Sequence, residues 1–315
     1  MTFNRSELLD YYYRDLYPEL ELLEKERKEI LKKLKFAILV IAPFALVLMF
    51  KLSNENNLAV EIPIVAISIF SLVAVWLSRD YKRTFKKRIV SRLISKIAPS
   101  LRYDSSGKIP ESIFRMSALF EDDFSRYEGG DLIEGEIDGI PIKASYLRVQ
   151  KSYRDSNGRK RERTIFSGIF IVTEFHKRFR HTTRVVPDIS EKYLGLFGEW
   201  IQKLAAQKLV RMDSPAFEKE FKVYSDDSIE AHYLLTPNIM ERLVKMKKRA
   251  NAPLYISFRL RKLFIAIEKS SDPFKPSLFR FLLDIEIFKR YMENLNLILG
   301  IVETLNLDRK IWSKE

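Results

Sequence analysis

The chain contains no cysteine, which removes a disulfide scaffold, a thiolate-held zinc or iron–sulfur site and a cysteine nucleophile, and fits a reducing compartment. Histidine occurs only at His176, His181 and His232. With 10 glycines and 12 prolines in 315 residues, the chain is neither collagenous nor low in complexity, and no Gly-, Pro- or Ser-rich linker divides it. It carries no phosphate-binding glycine loop, dinucleotide fingerprint, G-x-S-x-G elbow or H-E-x-x-H zinc helix, and no internal repeat of useful length. No cofactor is implied.

Two long runs lack charge altogether: FAILVIAPFALVLMF at 36–50 and IPIVAISIFSLVAVWLS at 62–78. At ~1.5 Å per residue they reach about 22 and 25 Å, and flanking residues extend them to spans of about 36–52 and 60–78, enough for the hydrocarbon core of a bilayer. The alternative is a helical hairpin inside a soluble core. That would need large apolar faces elsewhere to surround it, and the charged flanks argue against it. Neither run holds an ionisable residue, so the pair reads as an anchor, with no proton relay or ion pathway. Pro43 should bend the first helix, whereas Pro63 falls near the start of the second, where proline is tolerated.

Orientation follows from lysine and arginine. Six lie in 21–35 and seven in 79–93, against Lys51 alone in the connecting loop 51–61. The positive-inside rule then places both termini in the cytoplasm. Before the first span, Leu9, Tyr13, Leu16, Leu20, Leu23, Arg27, Ile30 and Leu34 follow a heptad seam broken only at Arg27. Pro18 is expected to start the main helix. After the second span, Tyr81, Phe85, Ile89, Leu93 and Ile97 recur every four residues on a basic helix ending near Pro99. Both stripes can pack within the chain; alternatively the Leu9–Leu34 stripe supports self-association or contact with a membrane-protein partner. Half of the net charge of +13 lies beside the second span, so membrane lipids account for it and nucleic acid is not required.

From 99 onward the pattern becomes mixed. A helix is expected within 109–127, then two strands joined through Asp138-Gly139, a basic tip at 151–164 with Asn157-Gly158 at its turn, and the strand IFSGIFIVTEF. A strand HTTRVVPD, a helix over 191–209, two extended pieces within 209–227 and a helical stretch 228–250 split at Thr236-Pro237 follow. The hairpin LYISFRL–KLFIAIE and a long helix from about 281 to 305 close the chain. The predicted class is α+β: a two-helix transmembrane hairpin with cytoplasmic helical extensions over 1–98, then a mixed α+β cytoplasmic domain with antiparallel hairpins over 99–315.

Three groups of side chains stand out. Asp226 and Glu230 fall four apart on one helix face with His232 nearby, as an acid and base pair would require; an N-cap at Ser225–Asp227 is the simpler alternative. Glu174, His176 and His181 form a conceivable E-x-H plus H metal site, although such polar residues are common at strand ends. Lys82, Arg83, Lys86, Lys87, Arg88 and Arg92, with Arg159, Lys160 and Arg161 at the basic tip, are candidates for anionic-lipid contact; the bland reading of the tip is an exposed hairpin loop. The 22 Phe and 14 Tyr follow helix and strand periodicity, the pattern of a core and not of base stacking.

Several strings are similar to one family: DLYPELELLE at 15–24, FSGIFIV at 166–172, VVPD at 185–188, FEKEFKVYSDDSIEAHYLLTP at 217–237, ISFRLRKLFIAIE at 257–269 and IVETLNLDRKIW at 301–312. They resemble a bacterial family of uncharacterised membrane proteins, a domain of unknown function numbered three-one-three-seven. The resemblance implies two spans followed by this domain, in a bacterial inner membrane. It implies no activity and no catalytic residues. The expected function is a membrane-anchored binding or adaptor module that engages a protein or anionic-lipid partner at the inner-membrane face. The alternative is a hydrolase or transferase acting on a membrane-proximal substrate.

Overall fold

The computed structural model describes residues 5–51, 58–174, 178–188 and 208–305. The chain divides into two compact units: Met1–Leu93 with Phe274–Lys289, and Ile94–Pro273 with Arg290–Glu315. The first break falls between Leu93 and Ile94. Segment 274–289, far along the sequence, joins the first unit.

The first unit is helical. It begins with α1 (Arg5–Tyr11), a π-helical turn (Tyr12–Leu16) and α2 (Tyr17–Lys51). Then come α3 (Leu58–Phe85), a second π turn (Lys86–Val90) and α4 (Ser91–Ile97), which leads into the second unit. Pro18 has no amide proton for an α-helical bond, and the turn before it closes on a wider ring in which the Tyr17 amide donates to the Tyr12 carbonyl. The wider turn shifts the apolar stripe by one residue. Tyr12 takes the buried place expected for Tyr13, which is 60% exposed, while Leu16, Leu20, Leu23 and Leu34 are buried as the heptad predicts. Along α3 and α4, Tyr81, Phe85, Ile89, Leu93 and Ile97 are all buried. Pro43 and Pro63 both lie inside helices; Pro63 sits six residues into α3, further in than the sequence suggested.

Among the described residues, one helix, Glu61–Ile97, is long and apolar enough to cross a membrane, and almost none of its apolar stretch is buried. Within α2, Phe36, Leu39, Phe44, Leu46 and Phe50 are exposed as well.

Among the described residues, the second unit is a nine-stranded antiparallel sheet with helices. The strands are β1 (Leu101–Asp104), β2 (Arg126–Ile137), β3 (Ile140–Arg154), β4 (Lys160–Glu174), β5 (Thr183–Pro187), β6 (Lys208–Val210), β7 (Phe221–Ser225), β8 (Leu254–Arg259) and β9 (Lys262–Glu268). Their order is β1-β2-β3-β4-β9-β8-β5-β7-β6. Asp138 and Gly139 turn β2 into β3 with φ of 51° and 77°, the paired positive values of a tight hairpin. Central β4 and β9 are buried on both faces and therefore read as continuous apolar runs instead of alternating ones. Their crossing needs a glycine, because a Cβ on Gly168 would collide with the Ile267 carbonyl.

One sheet face carries an aromatic core in which the Phe114 ring lies 5.1–6.1 Å from the rings of Phe120, Phe124, Tyr127, Phe166 and Phe170. The helix expected over 109–127 is only α5 (Glu111–Met116). It stops because the Ser117 hydroxyl takes the Phe114 carbonyl and Ala118 turns left-handed at φ 50°, which lets Leu119 and Phe120 drop into the core. The two extended pieces at 209–227 are β6 and β7, separated by a helical turn α6 (Pro215–Glu218) that Ser214 caps. The helix expected at 191–209 falls outside the described residues except at its end, where Lys208 and Leu209 belong to β6. Helices α7 (Ser228–Leu234) and α8 (Pro237–Ala250) divide at Thr236, whose hydroxyl accepts the Ile239 amide. The last helix, α9 (Ile285–Leu305), starts later than 281, where the Asp284 carboxylate takes the Glu286 amide.

Candidate functional site

The departure from the heptad at Arg27 has a structural cause. Arg27 and Glu24, both buried, form a two-pronged ion pair with N–O distances of 2.8 and 2.6 Å. A third Arg27 hydrogen goes to the Leu278 carbonyl at 2.6 Å, and Glu24 accepts the Leu282 amide at 3.2 Å. The pair thus grips an irregular segment whose backbone has no helical or strand partner there. Tyr12 adds a third hold, donating to the Leu283 carbonyl at 3.0 Å with its ring 5.0 Å from that of Phe288. Burial raises the Tyr12 phenol to about 12, so it remains a donor. Burial also pushes the Glu24 carboxyl up, but the bonds from Arg27 and the Leu282 amide and the charges of Arg27 and Lys28 outweigh it and hold the group below the usual carboxylate range.

The basic stretch after the apolar run is partly engaged. Arg88 and Arg92 pair with Glu19 at 3.8 and 3.0 Å, and Lys82 donates to Ser78 at 2.7 Å. Arg83 and Lys87, four apart on one face, are exposed. At the β3–β4 tip, Asp155 accepts the amides of Asn157 and Arg159 and pairs with Arg161 at 3.0 Å. The Arg161 bond is the main reason the Asp155 carboxyl lies below its ordinary value. Arg159 and Lys160 are exposed.

In the 226–232 cluster Asp226 precedes Asp227, the N-cap of α7, and so shares no helix face with Glu230; both carboxylates face backbone amides. Glu230 accepts the amides of Arg180 and His181 at 3.0 and 2.8 Å, and Asp226 accepts that of Thr182 at 3.2 Å. Asp227 caps α7 through the Ile229 and Glu230 amides. The His181 ring lies 3.3 Å from Glu230, while the exposed His232 bonds the Ser228 carbonyl at 2.7 Å. The arrangement fixes the turn 180–182 against the N-terminus of α7. Of the possible metal set, Glu174 faces Lys262 at 3.5 Å and His176 lies outside the described residues. Among the described residues no group of three His, Asp or Glu is placed to hold a metal.

Two further ion pairs, each with one buried partner, escaped the sequence reading. Arg184 meets Glu121, and Arg163 meets Asp122 at 3.0 Å, tying the acidic loop after α5 to strands β5 and β4. Nothing local marks these partners, which are 63 and 41 residues apart. Glu24 and Arg27 did leave a signal: a charge at a seam position with its opposite three residues earlier.

Residues 164–307 match the model of a family described as a protein of unknown function (DUF3137). That range holds the strings at 166–172, 185–188, 217–237 and 257–269, whereas 15–24 lies outside it. No curated protein matches the chain. Among solved structures, the crystal structure of the mycobacterial trehalose monomycolate transport factor A, TtfA, is similar at 11% identity, over 70% of this chain and 96% of that one, with a TM-score of 0.35.

Proposed function

We propose that the protein is a membrane-anchored adaptor: two spans, at about 36–52 and 60–78, hold an α+β domain at the cytoplasmic face of a bacterial inner membrane, where it engages a partner. One observation carries this reading. From the first π turn along α2, and from α3 to α4, large apolar side chains change environment, buried at Leu16, Leu20, Leu23 and Leu34 and at Tyr81, Phe85, Ile89, Leu93 and Ile97, yet exposed at Phe36, Leu39, Phe44, Leu46 and Phe50 and at Ile64, Ile67, Leu72 and Trp76. A water-soluble helix pair would hide those residues, whereas a bilayer supplies the apolar surroundings they need. The lysines and arginines gathered where the environment changes favour anionic headgroups, each contributing about 1 kcal/mol. Lys82, Arg83, Lys86, Lys87, Arg88 and Arg92 are the proposed first contact, and Arg159, Lys160 and Arg161 a second. The Leu9–Leu34 stripe is largely spent on packing within the helical unit, which favours a single chain over self-association along that face.

The absence of native cysteine makes the topology directly testable. In intact cells a membrane-impermeant maleimide should label Asn54→Cys, in the loop between the spans, and leave Asn157→Cys unlabelled until the membrane is opened. Equal labelling of both before opening would sink the two-span, cytoplasmic-domain reading.

A further inference from the structure

Segment 273–283, PFKPSLFRFLL, has a composition the adaptor reading leaves unexplained. It holds two cations, Lys275 and Arg280, and no acid. Phe274, Leu278 and Leu282 point inward and are buried, whereas Phe279 is 83% exposed and Phe281 52%. Two phenyl rings turned outward on a loop that is otherwise pinned down need an apolar environment of their own.

The position of the segment indicates which. Leu278 is bonded to Arg27, and Arg27 interacts electrostatically with Tyr81 on the neighbouring helix. Tyr81 follows Ser78, the end of the charge-free run, by three residues, or ~4.5 Å of helix rise. The headgroup layer beyond the hydrocarbon is about 5–7 Å thick. Lys275 also lies within electrostatic range of Lys82, one residue further along α3. On α2, Arg27 lies nine residues, or ~13.5 Å of helix rise, before Phe36, so the loop is latched about 4.5–13.5 Å outside the charge-free runs, from where Phe, Lys and Arg side chains reach the headgroup layer. There, aromatic rings settle at the acyl boundary and cations meet phosphate.

We propose that residues 273–283 are an interfacial lipid anchor, with the rings of Phe279 and Phe281 at the headgroup–acyl boundary and Lys275 and Arg280 on the phosphates of anionic lipids. This rests on the membrane-anchor reading above. A second copy of the chain or a protein partner would fit less well, because neither explains why the rings and cations sit at this depth.

The test uses the full chain reconstituted in phosphatidylethanolamine/phosphatidylglycerol vesicles, with Trp200→Phe and Trp312→Phe throughout. One variant keeps Trp76 as the sole tryptophan; two others replace it with Phe and carry Phe279→Trp or Phe281→Trp. Acyl chains brominated close to the headgroup should quench residue 279 or 281, with chains brominated near their ends doing so less, while Trp76 is quenched by either. Probes at 279 and 281 that keep full intensity in brominated vesicles, while Trp76 loses its own, would overturn the proposal; that result is expected for rings in water or covered by protein. If Trp76 also keeps its intensity, the membrane reading fails and this inference with it.

Discussion

In the helical unit Phe44 and Trp76 are 66% and 73% exposed, whereas in the sheet unit Phe170 and Phe264 are sealed from solvent. The same residue types thus obey opposite rules in the two regions. The sheet unit hides its apolar groups because water is the only alternative; the helical unit hides them only where its helices pass beyond the charge-free runs. The helical unit buries a pair, Glu24 with Arg27, where helices must hold a backbone segment that belongs to no regular element. Burial of charge here serves connection, and burial of rings in the sheet unit serves cohesion.

That contrast can be broken at its two centres. Arg27→Met leaves the Glu24 carboxylate buried without its charged partner and should cost about 3–5 kcal/mol. Hydrogen exchange should rise at the amides of 278–283 and leave β4 and β9 protected. Phe114→Ala opens a void among five rings at a similar cost of about 3–5 kcal/mol, with the reverse exchange pattern. If either variant loosens both regions equally, the two units do not unfold separately. Glu230→Ala removes the acceptor for two backbone amides, a loss of about 1.5–3 kcal/mol, with faster exchange at Arg180 and His181. An acid or base in catalysis would instead lose function with stability unchanged.

The smallest effect is a difference in sign. Glu24 is held below the ordinary carboxylate value, so its contribution is full above that value and is lost as pH falls through the folded one. Glu268 accepts the Tyr255 hydroxyl at 2.8 Å, yet burial raises its carboxyl above the ordinary value. Its contribution is full below the unfolded value and is lost as pH rises through the folded one. Glu268→Gln keeps the acceptor without the charge. It should raise stability at neutral pH and flatten the profile just above the ordinary carboxylate value, whereas Glu24→Gln should lower stability at neutral pH. Urea midpoints across that range, on the full chain in detergent, check both.

The elements that the sequence revealed are those whose causes are local. The charge-free runs, the stripe from Tyr81 to Ile97, the Asp138-Gly139 turn and the Thr236 cap each depend on neighbours within a few residues. What stayed hidden depends on distant partners or on geometry. Strand β9 lies beside β4, which precedes it by some ninety residues, and no local pattern specifies that pairing. The exchange of Tyr13 for Tyr12 follows from a π turn, whose extra residue breaks the counting on which a heptad rests. At the candidate site, the spacing of Asp226 and Glu230 was legible but their bonding to 180–182 was not, since amide donors leave no mark in the sequence. Arg27 was visible as an anomaly and Leu278 was not.

The latch also has a consequence in time. Arg27 leaves the ribosome 251 residues before Leu278, the carbonyl it holds. At ~5–20 residues per second, that is a delay of roughly 13–50 s. Throughout it the ion pair on α2 has no backbone to grip, and the helical unit is complete only after nearly the whole sheet has been made. Insertion of the helices and closure of the unit around them are therefore separate events in the life of each new chain, and a chain cut short before residue 278 would carry its helices without their clasp.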